Sequence, residues 1–504
     1  MLATVASATL LGAEGRPVTV EVHVSTGLPG FTIVGLPDEG CRESRDRVRA
    51  AIQSSGFTWP QRRVTVNLAP GGLRKGGAGL DLAIAVGVLA ATDVVKPAML
   101  ERLAFVGELG LDGSVRRVPG VVPLVAALGR RGVVVPLDCA AEASVVAHAE
   151  VLPATTLVGV ADALRRRCPW PDVPRTVNAL ADPMAPDLAD VRGHAVGRQA
   201  LEVAAAGGHH LLLVGPPGSG KTMLAARLPG LLPPLEPDVA LQTTMVHSAA
   251  GVALPAGGLV RRPPMRAPHH SASMVSLIGG GSGYMRPGEA SCAHGGVLFL
   301  DELAEFATPV LDGLRQPLED GVIRVTRAKA SVEFPARFLL VAAMNPCPCG
   351  MGGPPGSCAC SDAARLRYVR RVSGPLLDRF DVRIEVNRPA VDELMGGDVG
   401  EPTWAVAERV RAARAVATQR GVPTNSAIAS SSLDELAPLT NEASAMLKNE
   451  LERGRLSGRG LHRVRRVART LSDLKSGGDL VDAEDVTLAL QMRLDLGLLD
   501  RRVA

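Results

Sequence analysis

Residues 209–230 read HHLLLVGPPGSGKTMLAARLPG. Leu211–Val214 is an apolar run that predicts a buried strand, a glycine-rich turn follows, and a helix is expected from Lys221. Gly215, Pro216, Pro217, Gly218, Ser219, Gly220, Lys221 and Thr222 satisfy the G-x-x-x-x-G-K-[ST] pattern in full. The spacing has a physical cause. Glycines let successive backbone N–H groups turn inward around phosphates, and the helix N-terminus adds a favourable dipole. Lys221 would reach the β- and γ-phosphates, and the Thr222 hydroxyl would ligate Mg²⁺.

About eighty residues on, GGVLFLDEL delivers Asp301 and Glu302 to the end of a second apolar strand. Strands often end in acids, but downstream of a complete phosphate loop the pair gains meaning. Asp301 is expected to hold Mg²⁺ and Glu302 to polarise the attacking water. A third strand, RFLLVAAMN, ends in Asn345, whose amide could orient that water. In SGPLLDRFDV, Arg379 stands between two acids. It is either a surface arginine paired to Asp378 or Asp381, or a finger aimed at a γ-phosphate.

With 504 residues the chain is too long for one core, and two to four domains are expected. There is no apolar run long enough for a membrane span. The opening MLATVASATLLGAEG lacks a basic flank and reads as a first strand, which makes a cytoplasmic protein the expectation. The net charge of +4 argues for no partner, and scarce aromatics argue against base stacking as the main grip on nucleic acid.

The fold class expected is α/β. Residues 1–168 alternate strand and helix signals: PVTVEVHV and RRVTVNL carry period-two valines, while GLDLAIAVGVLAA reads as a buried helix. In FVGELGLDGSV, Asp112-Gly113 marks a hairpin turn. Residues 169–189 are proline-rich and read as a linker, residues 190–388 as the nucleotide domain with a parallel sheet, and residues 389–504 as helical.

Cys347, Cys349, Cys358 and Cys360 form two C-x-C pairs immediately after the Asn345 strand. In a reducing compartment such pairs suggest metal before disulfides, and four thiolates suffice for a closed structural zinc site. Free thiols and a redox switch are the alternatives.

The order of phosphate loop, LFLDE, strand with Asn, LLDRFD and helical end resembles an AAA+ ATPase. The whole chain resembles the ComM-type (YifB-like) magnesium-chelatase-related AAA+ proteins. GLPGFTIVGLPDEGCRESRDRVRAAIQSSGF, RAPHHSASMVSLIGGG, LRQPLEDGVIRVTRAKASVEFPARF and NPCPCG carry the likeness. The resemblance implies a homo-hexameric ring with ATP between subunits, Arg379 as a finger acting in trans, and a helical lid with Arg459 as its sensor arginine, Arg463 being the second candidate.

It further implies that residues 1–168 adopt a Lon-protease-like fold. RKGGAGLDLA has no serine and RRVPGVVPL no lysine, so no protease is expected. Two insertions are implied. One, in residues 245–290, carries Arg261, Arg262, Arg266 and His269-His270; these histidines should point apart on a strand and be structural. The other is a pore hairpin with Arg324, Arg327 and Lys329 near its turn, a candidate DNA contact. The implied function is an ATP-driven branch-migration motor on branched or single-stranded DNA, in recombination or natural transformation. A metal-insertion motor and a protein-remodelling ATPase are the rivals.

Overall fold

The computed structural model describes residues 1–174, 185–255, 257–281, 285–327, 330–351, 358–396, 400–475 and 478–494. In the first part, β1 (Leu2–Leu11) pairs antiparallel with β2 (Glu14–Ser25), placing Val5 opposite Val20. Val18, Val20, Val22 and Val24 are all buried, as period two requires. Strands β3 (Gly30–Val34), β4 (Arg63–Ala69) and β5 (Leu103–Phe105) follow. The expected hairpin is β6 (Glu108–Leu109) with β7 (Val115–Arg116). With β8 (Gly132–Pro136) and β9 (Glu150–Ala154), the mixed seven-stranded sheet runs β3-β4-β2-β1-β5-β8-β9.

Two of the helices in this part share one core with it. Glu39–Ser54 is capped by the Asp38 carboxylate, which accepts from Cys41 N at 2.8 Å. Asp81–Ala91 is buried along its whole length. It lies so close to the sheet that a Cβ on Gly87 would fall 2.5 Å from Val22 Cγ2.

The second part holds β10 (Leu211–Val214), β11 (Met265–Arg266), β12 (Gly279–Gly280), β13 (Arg286–Pro287), β14 (Val297–Leu300), β15 (Val322–Arg327), β16 (Ala330–Pro335), β17 (Leu339–Met344) and β18 (Val382–Glu385). Five of these form a fully parallel sheet, β11-β14-β17-β10-β18. Its central strands are apolar at every position because both faces are covered.

The pleat divides those residues between two cores. Leu212, Val214, Leu298, Leu300, Leu340 and Ala342 face a cluster shared with the first part, including Leu10, Val121 and Val125. Leu211, Leu213, Val297, Phe299, Val341 and Ala343 face a cluster shared with the C-terminal helices. Burying a side chain of this size stabilises by about 1.5–3 kcal/mol. The sheet is therefore held from both sides.

The C-terminal helices are Thr403–Gln419, Asn441–Glu452, Gly458–Leu474 and Ala483–Gln491. Val464, Ala468 and Leu471 form the expected buried stripe, with Leu461 at its half-buried edge. The first and second parts are not separate bodies joined by a linker alone. Gly120 N donates to Ser248 O at 3.1 Å. The β1–β2 turn rests on β16, where a Cβ on Gly12 would fall 2.1 Å from Val332 Cγ1. Among the described residues no helix is long and apolar enough to cross a membrane.

Candidate nucleotide-binding and hydrolysis site

Three parallel strands end at one edge of the second sheet. β10 delivers the phosphate loop, β14 delivers Asp301 and Glu302, and β17 delivers Asn345. Loops at the carboxyl edge of an open α/β sheet are where ligands bind. Gly218 and Gly220 have φ of +73° and +84°, which side chains rarely adopt. A Cβ on Gly215 would fall 2.1 Å from Val386 O. The helix beginning at Lys221 is shorter than its sequence suggested, spanning Lys221–Ala225 and resuming over Leu228–Leu231. Pro229 has no N–H to give the Ala225 carbonyl, so the ladder breaks there.

The side chains converge. Lys221 Nζ donates to Gly215 O at 2.7 Å, Pro216 O at 2.9 Å and Asn345 Oδ1 at 3.3 Å. Burial lowers the Lys221 pKa, while Asp301 and Glu302 oppose that shift. Thr222 Oγ1 donates to Asp301 Oδ2 at 2.7 Å.

The fit to a nucleotide rests on what this cradle offers. Ser219 Oγ is buried without a hydrogen-bond partner. A hydroxyl and a carboxylate meet beside a buried ammonium, the oxygen donors that Mg²⁺ prefers and the cation that phosphate prefers. Glu302 follows with its backbone left-handed, at φ +53°. Its carboxylate Oε2 lies 3.0 Å from His270 Nδ1.

The cysteine loop leans on this cradle. A Cβ on Gly350 would lie 2.8 Å from Pro217 Cγ. Cys347 Sγ is 3.3 Å from Cys349 Sγ and 3.5 Å from Cys358 Sγ, and all four sulfurs lie within 4.8 Å of one another. Four thiolates around Zn²⁺ at about 2.3 Å would sit about 3.8 Å apart, so the donor set fits that ion. The Cys358 thiol is pushed down to about 6, chiefly by the Cys360 N–H that it accepts. Residues 352–357, between the two cysteine pairs, lie outside the described residues.

Arg379 lies at the other edge. It precedes β18, whose Val382 pairs with Leu211 at the start of β10. Its own phosphate loop is therefore a strand length away, roughly 13 Å. Its partner is neither flanking acid but Glu319. Asp378 faces Arg383, and Asp381 accepts from Arg463 at 2.7 Å and meets His209 Nδ1 at 3.3 Å. Burial lowers the Arg379 pKa, and the nearby charges of Arg463, Arg459 and Arg315 lower it further. The exposed Arg459 thus joins the Arg379 cluster. Arg379, Arg411, Arg414 and Arg463 line a groove of about 1050 Å³ between core and C-terminal helices.

Comparison with known proteins agrees with this geometry. Profiles described as magnesium chelatase, subunit ChlI, match residues 187–394; subunit ChlI of Mg-chelatase, residues 20–138; and the subunit ChlI C-terminal region, residues 400–493. The competence protein ComM of Haemophilus influenzae is 43% identical over 481 residues, covering 94% of each chain. The chain belongs to the ComM-type family of magnesium-chelatase-related AAA+ proteins. YifB of Escherichia coli, uncharacterized, is 41% identical over 486 residues, 96% of this chain and 95% of its own. An uncharacterized protein of Mycobacterium tuberculosis is 45% identical over 494 residues, 97% of each chain. Membership of the ComM-type family implies ATPase activity with ATP and Mg²⁺.

The two basic segments of this ComM-type chain are less free than their sequences suggested. Arg266 is clamped by Glu289 at 2.6 and 2.9 Å. Arg324 is mid-hairpin rather than near the turn, bonded to Glu333 at 2.7 Å and Asp320 at 3.1 Å. Arg327 ends β15 beside the turn, and Lys329 lies outside the described residues.

The expectation that His269 and His270 point apart is overturned. They lie beyond the two-residue β11, in a turn closed by Ala272 N to His269 O, and their rings stack at 4.0 Å. Sequence reading also missed His194, whose Nε2 would lie 3.0 Å from a Cβ on Gly220, and Arg388, which donates to Pro217 O at 3.0 Å. No spacing rule marks either. Tyr368 was missed too. It is buried, and burial pushes its phenol up to about 12, with the Asn345 backbone opposing that rise.

Proposed function

We propose that this chain is an ATP-hydrolysing motor that assembles as a ring, a homo-hexamer, and acts on DNA in the cytoplasm, as a branch-migration helicase in recombination or natural transformation. One observation carries the reading: Lys221, Thr222, Asp301 and Asn345 converge at the carboxyl ends of three parallel strands in a near full-length relative of ComM. The loop N–H groups and Lys221 would hold the phosphates. Thr222 and Asp301 would hold Mg²⁺, which neutralises charge on the phosphate oxygens. As water attacks the γ-phosphorus and the bond to the bridging oxygen breaks, Glu302 would accept the water's proton and Asn345 would orient the nucleophile. The Arg379 cluster, too far from its own loop, would meet the neighbouring subunit's γ-phosphate, with Arg459 as the sensor arginine.

The domain reading is kept: 1–168 a Lon-protease-like scaffold, 169–189 a linker, 190–388 the AAA+ core and 389–504 the lid. The scaffold would carry no protease chemistry. Lys75 is buried and donates to the carbonyls of Gly35 and Pro70, while burial pushes the nearby Cys41 thiol up to about 12. The four clustered cysteines would hold structural zinc, keeping the loop beneath Pro217 in shape. Arg324, Arg327 and Lys329 would track DNA phosphates. A protein-remodelling role is the second reading, favoured by the neutralisation of Arg324 by Asp320 and Glu333.

The test is ATP turnover by the purified chain with a four-way junction, single-stranded DNA or an unfolded protein. Stimulation by the junction supports the motor reading, and stimulation by protein alone replaces it. Lys221→Ala should abolish nucleotide binding. Glu302→Gln should bind ATP and lose about 10²–10⁴-fold in turnover; wild-type turnover would remove Glu302 from its role.

A further inference from the structure

The geometry points to a head-to-tail contact between two copies of this chain, in which the helix Val391–Gly396 of one copy seats in the groove between core and C-terminal helices of the next. This inference rests on the reading of the chain as a ring in which Arg379 acts on a neighbour. The helix begins where β18 has carried the chain to the carboxyl edge of the parallel sheet. Val386 N donates to Val214 O at 2.7 Å, and Arg388 donates to Pro217 O of the phosphate loop at 3.0 Å. Glu393 accepts the Ala390 N–H at 3.0 Å and fixes the first turn. None of the six helical residues is buried. Val391, Leu394 and Met395 share one face at i, i+3 and i+4, and are 68%, 47% and 81% exposed. Asp392 flanks this stripe, exposed and without a partner among the described residues.

The groove offers the complement. Leu232, Pro234, Leu235 and Pro423 give it apolar lining, and Arg411 and Arg414 give it charge. Arg411 is exposed and has no carboxylate partner among the described residues. Arg414 donates Nε to Ala205 O at 2.9 Å, and burial alone pushes its pKa down to about 10, with no acid opposing that shift. An apolar stripe with an unpaired carboxylate at its flank thus matches an apolar groove with guanidiniums that lack counter-ions.

Topology decides which copy fills the groove. It opens at the amino edge of the sheet, beside His210 and Leu339, where β10 and β17 start. The helix stands at the carboxyl edge, a strand length of roughly 13 Å away. With Arg388 anchored on its own phosphate loop, the helix cannot fill the groove of its own chain. Two different surfaces on opposite edges make a heterologous contact, the kind that repeats around a ring. The same seating brings Arg379, which lines the groove, to the rim of the neighbour's phosphate loop.

The test is sedimentation velocity of the full chain over a range of concentrations, with Mg²⁺ and the non-hydrolysable analogue AMP-PNP. Leu394→Asp/Met395→Asp should raise the concentration for half-assembly about 10- to 100-fold, the loss expected for one large apolar side chain left in water. Asp392→Arg and Arg411→Glu should each raise it about tenfold, because each sets like charges face to face. Mixing the two charge variants in equal amounts should restore assembly, since every interface of an alternating ring then pairs opposite charges. The double variant Asp392→Arg/Arg411→Glu should assemble alone. The charge swap keeps the test decisive if the apolar variant proves unstable.

A wild type that assembles, with an apolar variant that assembles equally well or charge variants that stay unaffected or that mixing fails to restore, overturns the inference. A wild type that stays monomeric at every concentration would instead overturn the ring reading on which it stands.

Discussion

Asp381→Asn probes the joint between the helix Gly458–Leu474 and the parallel sheet. The Asp381 side chain is 8% exposed and its partner Arg463 13% exposed. One carboxylate oxygen accepts from Arg463 at 2.7 Å, and the other meets His209 Nδ1 at 3.3 Å. Removing one partner of a buried ion pair costs about 3–5 kcal/mol. The amide keeps one acceptor, which places the expected loss near the lower end, about 3 kcal/mol. Burial alone would raise the Asp381 pKa, but hydrogen bonding to His209 and the charges of His209 and Arg463 hold it well below the usual carboxylate range.

A depressed folded-state pKa means that the stabilisation is complete above the unfolded value, about 3.9, and is lost only as pH falls through the folded one. The variant should therefore lag wild type equally at pH 8 and pH 5. The assay is hydrogen exchange read by mass spectrometry on peptides from Gly458–Leu474 and β18. Protection there should drop by about 10²-fold, while the helix Asp81–Ala91 keeps its own. A change under about threefold in both peptides would show that Asp381 does not join the two elements.

Mixing Arg379→Ala subunits with wild type should depress turnover below the wild-type fraction, because each defective arginine disables a neighbour; strict proportionality would return the residue to its own subunit. Elemental analysis of protein purified without added metal should find one Zn²⁺ per chain, lost in Cys349→Ser; four reactive thiols and no metal would reject the zinc reading. His294 is buried and accepts the Arg337 N–H on Nδ1, so its pKa is pushed down to about 4, chiefly by burial and then by the Arg337 charge. The unfolded chain takes up that proton first, so stability should fall as pH drops below 6.5, by about 2 kcal/mol at pH 5 from this residue. His294→Gln should flatten that part of a urea-midpoint profile against pH; an unaltered slope would contradict it.

The parts legible in sequence were those in which local pattern and tertiary role coincide. Leu211–Thr222 announces strand, turn and helix start because its glycines answer a backbone demand and its apolar run a two-sided burial. The valines of β2 and the almost wholly apolar Asp81–Ala91 were equally plain. Partners brought together by topology were not. Glu319 and Arg379 lie sixty residues apart and meet only because both reach the sheet's amino edge. His270 reaches Glu302 because a turn, rather than a strand, carries it. The Arg324 side chain looked like free charge until its cross-strand neighbour Glu333 and the preceding Asp320 were placed beside it. Shared cores were hidden for the same reason. Alternate residues of one strand can serve two neighbours, and no periodicity says which neighbours those are.

The β1–β2 turn pressed onto Val332 and Phe334 limits how this polypeptide can be divided. With Gly12 removed, the Phe334 ring, fully buried here, would face water at the root of a projecting hairpin. A shortened ATPase half would carry an adhesive apolar spot beside an unsupported β-ribbon, a recipe for clumping rather than for a tidy minimal motor. Tags, fusions and circular permutations are better placed on the solvent side of the molecule than at this seam. Any exchange of the amino-terminal half between relatives must carry a matching β16 with it, so the two halves are expected to diverge as a pair.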